Sequence, residues 1–396
     1  MSGSLVIGGR AAAGARRRWV LSMSTLLAWR NLAHDRSRLG VVILGVAFAV
    51  LLMAVQLSLL FGFADTAAGL VSHSGADLWI CGRGTKNVDQ AVEIPARRRF
   101  EAMEIPGVAW ADKYIVYFAV LRRPDGGTES IVLVGYNVSR GLGGPWNVVE
   151  GSVDDLKRPD GIIVDDLYKE KLGITHVGQT VEINSHRARV VGFTHGVRTF
   201  VQSPYVFSSF KTAQVISRLS QDATKYVLVK LEANADRRAV QNALVAKMPG
   251  IDVDDNKAFA LTTQVYWLFS TGAGMDLILA AFLGVVIGVV VTAQALYASA
   301  VDHLPEYATM RAMGAGDFYL RGLIIKQALI VAVVGYSVGM AIAVLAVRLA
   351  SHGVAAMLLP LPLILVLGAI TMIMCALAGL VAMRRVIAVN PTSIFR

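Results

Sequence analysis

Four long stretches of this chain carry almost nothing but apolar residues, and the polar residues gather between them. Leu39–Ala64, Leu277–Val301 and Gln327–Val347 contain no charged side chain, and in Leu349–Met383 the only basic side chain is His352. A helix rises 1.5 Å per residue, so roughly 20 residues cross a hydrocarbon core of about 30 Å, and every run reaches that length. The pattern predicts spans over 39–64, 273–301, 320–347 and 361–383. Pro360 and Pro362 set the start of the fourth, leaving 348–360 as a short outer loop.

Between the first two spans the pattern changes to short alternating or β-branched runs. Tyr114–Leu121, Ser130–Gly135, Thr180–Ile183, Ala188–Gly192 and Lys225–Leu231 read as strands, separated by turn signals such as the PDGG at 124–127. Asp165–Leu172 and Asp236–Met248 fit helices. The expected fold is an α-helical membrane protein with four transmembrane helices and an α+β extracytoplasmic domain, residues 65–272, inserted between helices 1 and 2.

Composition agrees: 55% of the 396 residues are hydrophobic and the mean hydropathy is +0.55. The net charge of +10 matters through its placement. Residues 64–276 hold 24 basic and 24 acidic residues, which cancel, whereas 1–38 carry seven Arg against Asp35. Arg384, Arg385 and Arg396 follow the last span without an acid. The surplus thus flanks the first and last spans on one side, which puts both termini on the cytoplasmic side of the membrane. No basic patch is interleaved with aromatics, which argues against a nucleic-acid partner. Cys81 falls outside and Cys375 within the fourth span, so no disulfide or metal site is expected from them.

Residues 1–22, rich in Gly, Ala and Arg, read as a disordered extension, with Met23 as an alternative start. From Leu21 on, Leu21, Ala28, Trp29 and Leu32 fall on one helical face and Arg30, His34 and Ser37 on the other, with the helix placed at 23–38. That spacing suits an amphipathic helix lying in the cytoplasmic interface, or else a plain extension of the first span.

Catalytic signatures are missing. There is no GxxxxGK[ST], no Gly-Lys dipeptide, and no HExxH, GxSxG or CxxC. The outer histidines are scattered; His186 and His195 are the one pair a hairpin could bring together. Gly272-Ala273-Gly274 at the mouth of the second span reads as a hinge or cap. Ionisable residues are nearly absent from the spans, which disfavours an ion-coupled carrier. The expectation is therefore no enzyme activity, no cofactor and no metal in this chain.

One charged segment stands out, VDHLPEYATMRAMGAGDF at 301–318. Asp302 or His303 can cap a helix, Pro305 suits its first turn, Glu306 favours its positive end, and Gly314 fits just past its C-terminus. Tyr307, Met310 and Met313 would project from it as apolar knobs, with Arg311 one turn after Tyr307. So short a helix needs a surface to pack on. By residue pattern that surface is either a partner protein or the flanking spans.

The run QALYASAVDHLPEYATMRAMGAGDFYL (294–320) resembles the signature segment of DevC-type permeases, a branch of the MacB/FtsX-like permease family of ABC exporters. The likeness extends to 26–56, 262–274, 374–386 and the terminal NPTSIF (390–395). It implies a homodimer of four-span subunits in the bacterial inner membrane, each bound to a separate ABC ATPase that holds ATP and Mg. Residues 302–316 would be the cytoplasmic coupling helix, with 384–396 as a cytoplasmic tail. The resemblance further implies a membrane-fusion adaptor protein, an outer-membrane exit duct where the host has an outer membrane, contact with membrane lipids, and mechanotransmission to an amphiphilic cargo. A transmitter resembling the FtsX branch, controlling a cell-wall hydrolase, is the alternative.

Overall fold

The computed structural model describes residues 36–199, 203–314, 316–350, 353 and 356–388. The extension 1–22, all but the end of the interfacial helix 23–38, and residues 389–396 of the tail lie outside them.

The chain opens with α1 (Arg36–Ala67) and a single-turn α2 (Gly69–Ser72), then β1 (Leu78–Gly82), β2 (Ile94–Pro95), α3 (Arg98–Met103), β3 (Val108–Arg122), β4 (Thr128–Tyr136) and β5 (Val148–Gly151). It continues through β6 (Gly161–Asp165), α4 (Lys169–Leu172), β7 (Thr180–Ile183), β8 (His186–Thr194), β9 (Tyr205–Ser209), α5 (Phe210–Ile216), β10 (Ala223–Thr224) and β11 (Tyr226–Leu231). The remainder is α6 (Arg237–Lys247), β12 (Ile251–Asp255), α7 (Asn256–Phe269), α8 (Gly272–Asp302), α9 (Leu304–Ala312), α10 (Asp317–Ala350) and α11 (Leu361–Ala388). Among the described residues, four helices are long and apolar enough to cross a membrane: Leu39–Ala67, Gly272–Ser299, Phe318–Ala350 and Leu361–Val381.

The described chain divides into two units. One holds the chain up to Ser58, Leu279–Arg348 and the part from Leu359 onward; the other holds Leu59–Ile278 and Leu349–Leu358.

In the outer unit, ten strands pair in the order β12-β1-β11-β3-β4-β9-β6-β8-β5, and β7 joins β3 to β8. The ring β3-β4-β9-β6-β8-β7 therefore closes on itself, leaving no free edge between β3 and β8. Ile115, Leu121, Ile131, Leu133, Ile162, Val164, Val190, Phe193 and Val206 form one apolar cluster with residues of all six of these strands.

The long β3 leaves that ring at its N-terminal half to pair with β11, and β11, β1 and β12 extend the sheet. Here both faces are covered. Leu78 and Ile80 join a cluster with Val240 and Leu244 of α6, whereas the alternate residues Trp79 and Cys81 join one with Phe259 of α7. Trp79 meets Tyr114 and Tyr226 edge-on at 5.5 and 5.3 Å, the arrangement aromatic quadrupoles favour. Cys81 is buried and unpaired, and burial, with Asp254 and Asp252 adding, pushes its thiol up to about 12. Such a thiol is not nucleophilic.

Asp89 supplies a pH prediction. Its side chain is buried, Oδ2 accepts the Trp267 indole N–H at 3.1 Å, and Oδ1 has no hydrogen-bond partner. Burial raises the carboxyl from 3.8 to about 6, against a lowering by the Trp267 bond. A raised acid pKa means the folded state holds the proton more tightly than the unfolded one. The stabilisation is thus full below pH 3.8 and is lost as pH rises through about 6, on the order of 3 kcal/mol. Asp89→Asn should remove this slope between pH 4 and 6 and raise the melting temperature at pH 7. Tryptophan-fluorescence melts of the full chain in detergent check it.

In the membrane unit, α1 is the hub. Val46, Val50, Met53 and Ala54 of α1 pack with Leu296 of α8, Val331 and Ala332 of α10, and Leu367 and Met374 of α11. The approach is close because α10 carries Gly335 and Gly339 where α1 crosses. A Cβ at Gly335 would stand 2.7 Å from Val46 Cβ, and one at Gly339 would stand 2.5 Å from the Ala47 carbonyl oxygen. The glycine pair 284/288 of α8 meets α1 at Gln56 and Met53 in the same manner. Both pairs have the small-xxx-small spacing that lets backbones approach in lipid. Tyr336 adds a polar tie, its hydroxyl donating to the Ile364 carbonyl at 2.6 Å.

Candidate functional site

Between the second and third spans lies the charged segment at 301–318. It folds as α9, flanked by the end of α8 and the start of α10. Pro305 sits in its first turn, and the backbone N–H of Gly314, at φ +94°, bonds the Arg311 carbonyl at 3.0 Å. The positive φ is the reason glycine ends this helix.

The expected side-chain cap is not made. Asp302 is the exposed last residue of α8, and His303, at the N-cap, makes no capping hydrogen bond. Its imidazole turns instead to Glu306, with Nδ1 3.2 Å from Oε1. The one-residue gap between α8 and α9 leaves His303 in a turn with φ −91° and ψ 8°, not the extended conformation a side-chain cap requires.

Tyr307 also differs from expectation. It is not a projecting knob: it is 2% exposed, clusters with Leu320, Leu323 and Ile324 of α10, and donates its hydroxyl to Gln327 Oε1 at 2.7 Å. Burial, and then the Glu306 charge, raises its phenol above the ordinary value. Met310 is half-buried against the same cluster. The inner face of α9 thus packs on the protein's own third span, one of the two surfaces that the pattern allowed.

The outer face remains. Pro305, Glu306, Thr309 and Ala312 are exposed, Met313 is 75% exposed, and Arg311 is half-buried. Thr309 and Met313, four residues apart, share that face. Phe318, at the start of α10 and outside the residues that the pattern picked, is 91% exposed. It is also the first residue of the third candidate span, Phe318–Ala350. An apolar side chain such as Met313, left exposed at the end of a short loop helix, is a feature of interaction surfaces.

Elsewhere the sequence candidates do not converge. His186 and His195 sit at and just beyond opposite ends of β8, and His195 Nδ1 lies 2.9 Å from Asp166. Among the described residues no group of three or more His, Cys, Asp or Glu could hold a metal.

Two family models match. Residues 39–247 match the MacB-like periplasmic core domain, and 278–391 the FtsX-like permease C-terminal domain. Similar solved structures include the periplasmic region of MacB from Actinobacillus actinomycetemcomitans, with 13% identity, 48% of this chain and 94% of that one covered, and a TM-score of 0.36. The extracellular domain of the noncanonic ABC-type transporter YknZ from Gram-positive bacteria gives 13% identity, coverage of 46% and 99%, and a TM-score of 0.34. No curated protein matches significantly. The chain belongs to the MacB/FtsX-like permease family of ABC transporters. It is a multi-pass inner-membrane permease component with a periplasmic domain between its first two spans, and members of this family work with a partner ABC ATPase.

Proposed function

We propose that this permease is of the DevC type and couples ATP hydrolysis, by an ATPase docked on the outer face of α9, to export of a lipid, glycolipid or other amphiphilic cargo. The observation that carries this reading is the uncovered face of Thr309 and Met313 on a helix whose other face is anchored to the third span through Tyr307. A force applied to α9 passes directly into α10, because the Tyr307–Gln327 bond and the Leu320–Leu323–Ile324 contacts join them. The permease acts as a homodimer, and the periplasmic domains move an adaptor that passes cargo to an exit duct. ATP and Mg stay in the ATPase.

The four spans support a mechanical role over an ion-coupled one. The polar residues buried within them are neutral: Ser58, Thr292, Gln327 and Thr371. A charge at mid-membrane costs about 2.5–3.5 kcal/mol on insertion scales and is retained where protons or ions move.

Affinity purification of the tagged chain from its own host, with bound proteins identified by mass spectrometry, tests the reading. An ATPase with a membrane-fusion adaptor is expected. An ATPase with a cell-wall hydrolase would replace export with FtsX-like signalling, and capture of no ATPase would overturn the docking role of α9.

A further inference from the structure

The helix α7 (Asn256–Phe269), which precedes the second span, carries apolar side chains on two faces. One is sunk in the domain: Phe259 and Thr263 are fully buried, and Phe259 belongs to the cluster around Trp79. The other is uncovered among the described residues. Leu261 is 59% exposed, Val265 46% and Phe269 62%. At about 100° per residue these three, with Ala258 and Leu268, fall within an arc of about 100°. From Ala258 to Met275 the chain has no charged side chain, whereas a helix facing water carries polar and charged residues opposite its buried face.

The bend after α7 fixes where this uncovered face lies. In a continuous helix Trp267 and Gly274, seven residues apart, would be separated by about 10 Å of rise. Instead a Cβ at Gly274 would fall 2.1 Å from the Trp267 carbonyl oxygen and 2.5 Å from that of Leu268, so the chain turns sharply at Ser270 and Thr271. Thr271 holds the turn: its hydroxyl donates to the Trp267 carbonyl at 2.6 Å and accepts the Gly274 N–H at 3.2 Å. The last turn of α7 therefore lies beside the first turn of α8. Gly274 precedes Leu277, where the charge-free run of the span begins, by three residues, or about 4.5 Å of rise. That is headgroup depth, since the polar layer adds roughly 5–8 Å to each side of the hydrocarbon core. Tyr266, Trp267 and Phe269 gather there, the aromatic content typical of a membrane–water boundary. Past the bend, exposed apolar positions resume at Met275, Leu279 and Phe282.

We infer that α7 is a membrane-surface helix, with Leu261, Val265, Leu268 and Phe269 sunk into the headgroup–acyl boundary of the periplasmic leaflet. A charge-free apolar arc on a helix that ends at headgroup depth has the lipid surface as its nearest apolar phase. The Trp267 indole points to the other side, donates to Asp89 Oδ2 at 3.1 Å, and so ties the interfacial helix to the domain. Lipid contact here needs no ATPase, so its failure leaves the export reading standing, and the reverse.

Electron paramagnetic resonance of the spin-labelled full chain in phosphatidylcholine–phosphatidylglycerol vesicles tests it. Val265→Cys carries the label; the native Cys81 and Cys375 are buried, and the unsubstituted chain gives their background. Access of oxygen to the label should exceed that of a water-soluble nickel chelate severalfold. Val245→Cys on α6, at a position 47% exposed, is the reference and should show the reverse. Leu261→Cys, one turn earlier on the same face, repeats the reading if Val265→Cys fails to insert. Preferential access of the nickel chelate at these sites would overturn the inference. Low access of both reagents, or spin–spin broadening relieved by unlabelled chain, would overturn it too, by putting a second copy of the permease on this face.

Discussion

Gly335→Leu combined with Gly339→Leu should dismantle the membrane unit. The added side chains have no space, because a single Cβ at these positions already falls 2.7 Å from Val46 and 2.5 Å from the Ala47 carbonyl oxygen. The α1 backbone cannot yield without losing the contacts of Val46 and Val50, both fully buried. Overpacking costs typically 1–3 kcal/mol per site, so the pair should lose on the order of 3 kcal/mol or more. A matched control separates this from a general intolerance of glycine replacement. Gly322, on the same helix, has no atom within 4 Å of the place a Cβ would occupy, and Gly322→Ala should be neutral or stabilise by about 0.5–1 kcal/mol. Denaturation in mixed micelles, followed by helicity, reads both. Equal stability of the double leucine variant and the native chain would show that α1 and α10 do not pack this way.

Thr309→Asp with Met313→Asp should abolish capture of the ATPase while leaving the permease folded and inserted. Both side chains are exposed and neither belongs to the Tyr307 cluster, so the change falls on the exposed face of α9 alone. Truncation of a central interface residue commonly costs about 2 kcal/mol or more, and two buried carboxylates without partners cost further. Capture should fall well over tenfold. Tyr307→Ala is the contrasting variant: it removes a buried ring and its hydrogen bond to Gln327, at a cost of about 3–5 kcal/mol in stability, and so weakens capture only by unfolding the helix. A melting curve distinguishes the two. Full capture by the Thr309/Met313 variant would place docking elsewhere.

The four spans were legible because a run of some twenty uncharged apolar residues has few other solutions. Within the periplasmic domain, the legible strands were those with alternation or β-branched character, such as Thr180–Ile183 and the C-terminal half of β3. β1, β6 and β9 were not legible. LWICG and GIIVD are buried at every position, so they show no period-two contrast, and their pairing partners lie far along the chain. β12, IDVDD, alternates, but three of its five residues are aspartates, which strands disfavour.

The charged segment at 301–318 was legible as a helix and not as an oriented one. Tyr307 and Met313 are six residues apart and carry similar apolar weight, and only the fold shows that one faces α10 and the other water. The glycine pairs of α8 and α10 were present in the sequence as GVVIG and GYSVG. Their spacing was readable; which helix they face was not.

The most direct test of ATPase docking places a photo-reactive amino acid at Met313 and irradiates cells of the native host. The account predicts a cross-link from position 313 to a nucleotide-binding ATPase subunit, lost when Thr309 is also changed to Asp. Cross-links from that position only to lipid, or to a second copy of the permease, would contradict it.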